Sequence, residues 1–101
     1  MEKIINGKRY NTKTAVQLGD MTHGGWGNFD SVHEELYRKR TGEFFLAGEG
    51  GARTRYASFA ADGWSRGGEK IIPLTEEEAR EWVERNLDAD QYKAIFGEAK
   101  E

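Results

Sequence analysis

A chain of 101 residues with no cysteine has room for one modest hydrophobic core and no route to a disulfide framework or a thiolate metal site. Its net charge of −3 is unlike the basic footprint of a dedicated nucleic-acid binder. No run approaches the roughly 20 apolar residues of a membrane-spanning helix, and the start, Met1-Glu2-Lys3-Ile4-Ile5-Asn6-Gly7, turns polar too early for a secretory signal. A single soluble domain, residues 1–101, without membrane association and located in the cytoplasm, is expected.

Residues 3–10 read as a short β-hairpin, because Asn6-Gly7 tolerates the positive φ angles of a type I′ turn. Asn11 or Thr12 then reads as the cap of a short helix ending near Leu18, with Ala15, Val16 and Leu18 on its apolar side and Gly19 as its stop. Residues 20–30 read as a glycine-rich loop carrying Trp26 and Phe29.

The central hairpin is expected to have arms at 32–39 and 43–48 around Arg40-Thr41-Gly42. That turn pairs Lys39 with Glu43, Tyr37 with Phe45 and Leu36 with Leu46. One face then carries Val32, Leu36, Phe44 and Leu46 and suits the core. The other carries Tyr37, Lys39, Glu43 and Phe45 and reads as amphipathic surface; a slip of one residue would exchange the two faces. Residues 48–54 read as a flexible connection, and residues 55–60 as a short strand or a helical turn. Residues 62–68 read as a second glycine-rich loop, with Trp64, and residues 69–74 as a strand ending at Pro73.

The C-terminal third is the most explicit. Thr75 with Glu78 forms one capping box and Asp88 with Gln91 a second. Ala79, Trp82, Val83 and Leu87 fall on one helical stripe, and Tyr92, Ile95 and Phe96 on a second short helix that stops at Gly97. The fold class that follows is α+β: a small antiparallel β-sheet of three to five strands covered by two C-terminal helices, with a short N-terminal helix.

Catalytic and cofactor signatures are missing from the sequence. His23 and His33 would need Asp20, Asp30 or Glu35 to make a metal site, and no helical spacing brings the two histidines together. Glu34, Glu35 and Glu43 read as cross-strand partners of Lys and Arg rather than as acid or base catalysts. Gly48-Glu49-Gly50-Gly51 lacks the Lys-Ser/Thr and the strand–loop–helix setting of a phosphate loop. No enzyme activity, cofactor or metal is expected.

Charge is unevenly spread: residues 1–68 carry a net +2 and residues 69–101 a net −5. The acidic side chains Glu76, Glu77, Glu78, Glu81, Glu84, Asp88 and Asp90 are either an ordinary solvated helix face or a surface for a basic partner. The rival binding surface is aromatic and basic: Trp26, Phe29, Tyr37, Lys39, Arg40, Trp64 and Arg66. Aromatic and basic residues interleaved along the central hairpin also fit a nucleic-acid-binding module, although Glu35, Glu43, Glu49 and Asp62 interrupt the run.

Three stretches resemble a family of small proteins carried by phages and conjugative elements of Gram-positive and related bacteria. They are Lys3-Ile4-Ile5-Asn6-Gly7-Lys8-Arg9-Tyr10, Glu35-Leu36-Tyr37-Arg38-Lys39-Arg40-Thr41-Gly42-Glu43-Phe44-Phe45-Leu46 and Lys70-Ile71-Ile72-Pro73-Leu74-Thr75-Glu76-Glu77-Glu78-Ala79. Asp88-Ala89-Asp90, Tyr92 and Phe96-Gly97 extend the resemblance. It implies a mobile-element protein of the host cytoplasm and, by the habit of such small acidic proteins, an anti-CRISPR-type inhibitor. Such an inhibitor binds a CRISPR effector complex and blocks target DNA, in some cases as a DNA mimic. The family offers no catalytic residues to carry over.

Overall fold

The computed structural model describes residues 1–25, 29–59, 61 and 63–101. Strand β1 (Glu2–Ile5) turns through Asn6 and Gly7, at φ 52° and 77°, into β2 (Lys8–Asn11). Strands β3 (Val16–His23), β4 (Val32–Arg38) and β5 (Phe44–Gly50) follow. A small hairpin, β6 (Ser58–Phe59) with β7 (Ser65–Arg66), precedes β8 (Gly68–Leu74) and the helices α1 (Glu76–Asn86) and α2 (Ala89–Phe96). The main sheet is antiparallel with order β3-β4-β5-β8, so the chain is α+β.

The central hairpin keeps the register its turn dictates. Tyr37 faces Phe45 and Leu36 faces Leu46. Gly42, at φ 93°, donates its N–H to the Lys39 carbonyl at 2.9 Å, and the Lys39 N–H bonds the Glu43 carbonyl at 2.8 Å. Both capping boxes form, with the Thr75 and Asp88 side chains accepting from the N–H groups of Glu78 and Gln91. Gly97, at φ 89°, ends α2.

Two cores result, one on each face of the sheet. Leu36, Phe44 and Leu46 pack under Ala79, Trp82 and Val83 of α1, with Tyr92, Ile95 and Phe96 of α2 at the margin. The opposite face buries Tyr37, Phe45, Ala47 and Ile71 under Tyr10 and Ile5 of the N-terminal hairpin. There the Tyr37 and Phe45 rings stack at 5.3 Å, and Tyr10 meets Phe45 edge-on at 5.5 Å. Strand β5 is central and apolar on both faces, which is why Phe44-Phe45-Leu46-Ala47 reads as a continuous run rather than an alternation.

Two expectations are corrected. The short N-terminal helix does not form. Asn11 closes a single turn, its Oδ1 accepting from Lys13 N–H at 2.9 Å and its carbonyl from Thr14 and Ala15. Val16 then begins an eight-residue strand that absorbs residues 20–23 of the expected loop. Pairing along all of β4 outweighs the weak local preference for one or two helical turns. Gly19 is not a helix stop: a Cβ there would lie 2.6 Å from Leu87 Cδ1, so its bareness lets the end of α1 close over the edge strand. The second correction concerns the Tyr37/Phe45 face, which is interior because β1 and β2 cover it.

No helix among the described residues is long and apolar enough to cross a membrane.

Candidate functional site

The end of the sheet where β4 begins and β5 finishes carries a buried polar network. Glu34 is buried on the helix-facing side. Its Oε1 accepts from the Trp82 indole N–H at 2.9 Å, and its Oε2 from the Tyr56 hydroxyl at 2.6 Å and from Arg55 at 3.4 Å. Tyr56 is fully buried, and burial, reinforced by the Glu34 carboxylate, pushes its hydroxyl well above the usual tyrosine range. A buried carboxylate survives at moderate cost only when its oxygens are satisfied in this way. Glu34 is therefore neither a surface cross-strand partner nor a free acid or base. The sequence holds one signal of this: Glu34 falls between Val32 and Leu36 in a period-two pattern, on the core face.

This network anchors residues 51–57, which are packed rather than loosely connecting. Gly51 N–H bonds the Ser31 carbonyl at 2.9 Å and Arg53 N–H the Phe29 carbonyl at 2.9 Å. Ser65 Oγ donates to the Ala52 carbonyl at 2.6 Å, and Lys70 Nζ to the Arg55 carbonyl at 3.0 Å. Two glycines here meet packing demands: a Cβ at Gly48 would clash with the Cζ–OH end of the Tyr56 side chain, and one at Gly68 would lie 2.5 Å from the Tyr56 carbonyl.

An open groove of about 1000 Å³ lies beside this segment. Phe29 and Ser31 line it from one connection, Ser65 to Gly68 from the other, and Gly24 and Gly25 from the end of β3. Thr22, His33, Glu49 and Glu69 line it as a row of directly opposed residues on four neighbouring strands. Thr22 Oγ1 and His33 Nδ1 are 2.8 Å apart. Among the described residues three large aromatic side chains are exposed at this end of the molecule: Phe29 at 60%, Phe59 at 78% and Trp64 at 71%. The other described aromatic rings are buried or half-buried.

The expected binding residues separate into distinct groups. Trp26 lies outside the described residues. Phe29 and Arg66 line the groove, and Trp64 stands on the adjoining β6–β7 hairpin. Tyr37 is only 7% exposed, with its hydroxyl raised by burial, and so offers no contact surface. Lys39 sits over the Tyr10 ring at 4.2 Å and pairs with Glu43 at 3.3 Å. Arg40 is exposed at the central turn, remote in sequence and register from the groove. Of the acidic set, Glu78 and Asp88 are committed to capping boxes, and Glu76 pairs with Arg80 at 3.7 Å. Glu77, Glu81, Glu84 and Asp90 remain exposed.

His23 and His33 do not join Asp20, Asp30 or Glu35 in a site: among the described residues no three His, Asp or Glu side chains are grouped as a metal would need. Compared with known proteins, the chain matches no family model, no curated protein and no solved structure. The resemblance to mobile-element proteins rests on its sequence stretches alone.

Proposed function

We propose that this chain is a non-enzymatic protein-binding module that engages its partner with the groove end of the sheet. One observation carries the reading: among the described residues Phe29, Phe59 and Trp64 are exposed on the connections at the groove end, while the other large rings are buried or half-buried. Exposed aromatics flanked by arginines are the side chains that dominate protein interfaces. Among the described residues the charges at this end, Arg53, Arg55, Arg66 and Lys70 against Asp30, Glu34, Glu49 and Glu69, are balanced, which favours a protein over a polyanion. Two of the central-hairpin rings that the nucleic-acid alternative would use for stacking, Tyr37 and Phe45, are buried.

The partner implied by the resemblance is a CRISPR effector complex, occluded from its target DNA. Effector capture by the purified chain, scored together with loss of target DNA binding, tests that partner. The triple variant Phe29→Ala, Phe59→Ser, Trp64→Ala is expected to lose capture while keeping its fold. Undiminished capture by that variant overturns the groove-end surface, and a gel shift with a steep salt dependence would favour direct nucleic-acid binding.

A second reading rests on α1. Glu77, Glu81 and Glu84 share one helix face and make no ion pair among the described residues. They are spaced about 4.5–6 Å along the axis at 1.5 Å per residue. This is the face that a DNA mimic would present. Glu77→Lys with Glu81→Lys is expected to abolish inhibition under this reading and to leave it intact under the first.

A further inference from the structure

Strand β3 forms one edge of the four-stranded sheet and β8 the other, and the two edges differ. On β8, Pro73 has no N–H to offer and Lys70 reaches back to the Arg55 carbonyl at 3.0 Å, so a further strand is discouraged there. Strand β3 runs for eight residues without proline or lysine. Among the described residues, nothing outside β4 hydrogen-bonds to its main chain. Val16, Gln17, Asp20, Thr22 and His23 are exposed along it. Leu87 covers the helix face of Gly19, along its Cβ direction, rather than the edge. The irregularity between Gln17 and Gly19 leaves a regular ladder over Gly19–His23. Alternate residues of that stretch turn their N–H and carbonyl groups outward, and these are the groups an added strand pairs with.

The edge makes the site, and its side chains select the occupant. Leu18 and Met21 are half-buried at the margin of the helix-side core, which suits an apolar neighbour. Asp20, on the opposite face, stands directly across from Glu35 of β4, and neither makes an ion pair with a described residue. The basic groups nearest in register are engaged elsewhere or turned away. His33 Nδ1 lies 2.8 Å from Thr22 Oγ1, and His23 falls on the helix side by alternation with Thr22. Arg38 donates to the Ile95 carbonyl of α2 at 3.5 Å, and the N-terminal ammonium to Thr12 Oγ1 at 3.0 Å. A second copy pairing antiparallel about Met21 would bring the two Asp20 carboxylates to diagonal positions on one face, beside both Glu35 side chains. Like charges so placed oppose pairing. A strand carrying cations on that face is favoured instead.

We propose that β3 accepts an added strand from a protein partner, an extended segment in which apolar residues alternate with lysine or arginine. Main-chain hydrogen bonds to Gly19–His23 hold it, its apolar side chains lie beside Met21, and a cation lies opposite Asp20 and within reach of Glu35. This surface goes beyond the groove-end reading, since Phe29, Phe59 and Trp64 take no part in it.

The test uses the full chain and a fluorescein-labelled peptide alternating Val and Lys, followed by anisotropy. That peptide is expected to bind, with slower amide exchange over Gly19–His23, and a counterpart alternating Val and Glu is not. Two further counterparts are N-methylated at every Val or at every Lys. One is expected to bind like the parent and the other about tenfold or more weakly, because only alternate N–H groups of an added strand face β3. Asp20→Lys, checked for a parental circular-dichroism spectrum, is expected to lose the Lys peptide by about tenfold or more and to admit the Glu peptide. Glu101→Lys makes the same change of charge at the C-terminus and is expected to stay within about twofold of the parent. Sedimentation of the unbound chain is expected to show a monomer.

Failure of the Lys peptide to bind overturns the inference. Equal binding by the two N-methylated peptides does so too, since side-chain attraction alone would then account for the affinity. An equal loss in Glu101→Lys would mark non-specific attraction and has the same consequence. A dimer that the Lys peptide dissociates would make a second copy the occupant and overturn the choice of partner. The groove-end reading is untouched by these outcomes, because its own test is effector capture by the aromatic triple variant.

Discussion

The Tyr56 hydroxyl donates a 2.6 Å hydrogen bond to Oε2 of Glu34, and both residues are buried. Trp82 satisfies the other carboxylate oxygen from α1, 48 residues away in the chain. One buried side chain therefore ties together the sheet, the segment at 51–57 and the first helix. The groove inherits its shape from this tie, since Gly51 and Ala52 line it while Tyr56 anchors the same segment underneath.

Glu34→Ala would strand two buried donors, the Trp82 N–H and the Tyr56 hydroxyl. A cost of about 3 kcal/mol in unfolding free energy is expected from urea denaturation. Glu34→Gln keeps an acceptor for Trp82 and allows Tyr56 to accept instead of donate, so about 1–2 kcal/mol is expected. An alanine variant as stable as the parent would show that the network is dispensable.

Gly48 lies against the other side of the same tyrosine. Gly48→Ala would drive a methyl group into the Tyr56 ring, on the central strand, where neighbouring strands prevent relaxation. Overpacking of this kind costs about 1–3 kcal/mol. In a Tyr56→Ala background the same change should cost far less, so the two effects should be strongly non-additive in a double-mutant cycle. Additive costs would mean that the tyrosine is not what excludes a side chain at Gly48.

The parts of this fold that could be read from sequence are those decided locally. Asn6-Gly7, Arg40-Thr41-Gly42 and the two capping boxes each carry their geometry within four residues, and each forms as read. Residues 12–23 were not readable, because Ala15, Val16 and Leu18 fit a helical turn as well as a strand and the decision lies with β4. The candidate site was legible in part. Phe29, Trp64 and Arg66 were visible as aromatic and basic residues on glycine-rich loops. Glu34 was not visible as a network centre, since its partners Tyr56 and Trp82 lie 22 and 48 residues away. The Asp20–Glu35 opposition likewise needs the register of β3 against β4.

The two capping boxes have the same chemistry in different settings, and their loss should differ accordingly. Thr75→Ala removes the cap of α1, whose Ala79, Trp82 and Val83 form the helix side of the core, and about 1 kcal/mol of global stability is expected to go. Asp88→Ala removes the cap of α2, which buries no residue fully. Its effect is expected chiefly as faster amide exchange across Ala89–Phe96, with little change in the global unfolding midpoint. Equal shifts in the midpoint would show that α2 is part of the same cooperative unit as α1.

Glu43 fastens the N-terminal hairpin to the central one. It accepts from Lys8 Nζ at 3.0 Å, from Thr41 Oγ1 at 3.0 Å and from Lys39 Nζ at 3.3 Å. The bond from Lys8 first, then those from Thr41 and Lys39, hold its carboxyl down to about 2, against an ordinary value of 4.5. A carboxylate whose folded pKa lies below its unfolded one adds stability above the unfolded value and loses it as pH falls towards the folded one. The stability difference between the parent and Glu43→Gln should therefore hold steady at neutral pH and shrink as pH falls from about 4.5 to about 2. Urea denaturation of both proteins across that range measures it. Because Lys8 and Lys39 supply the charge, high salt should reduce the difference at neutral pH as well. A difference that is independent of both pH and salt would assign Glu43 a packing role instead of an electrostatic one.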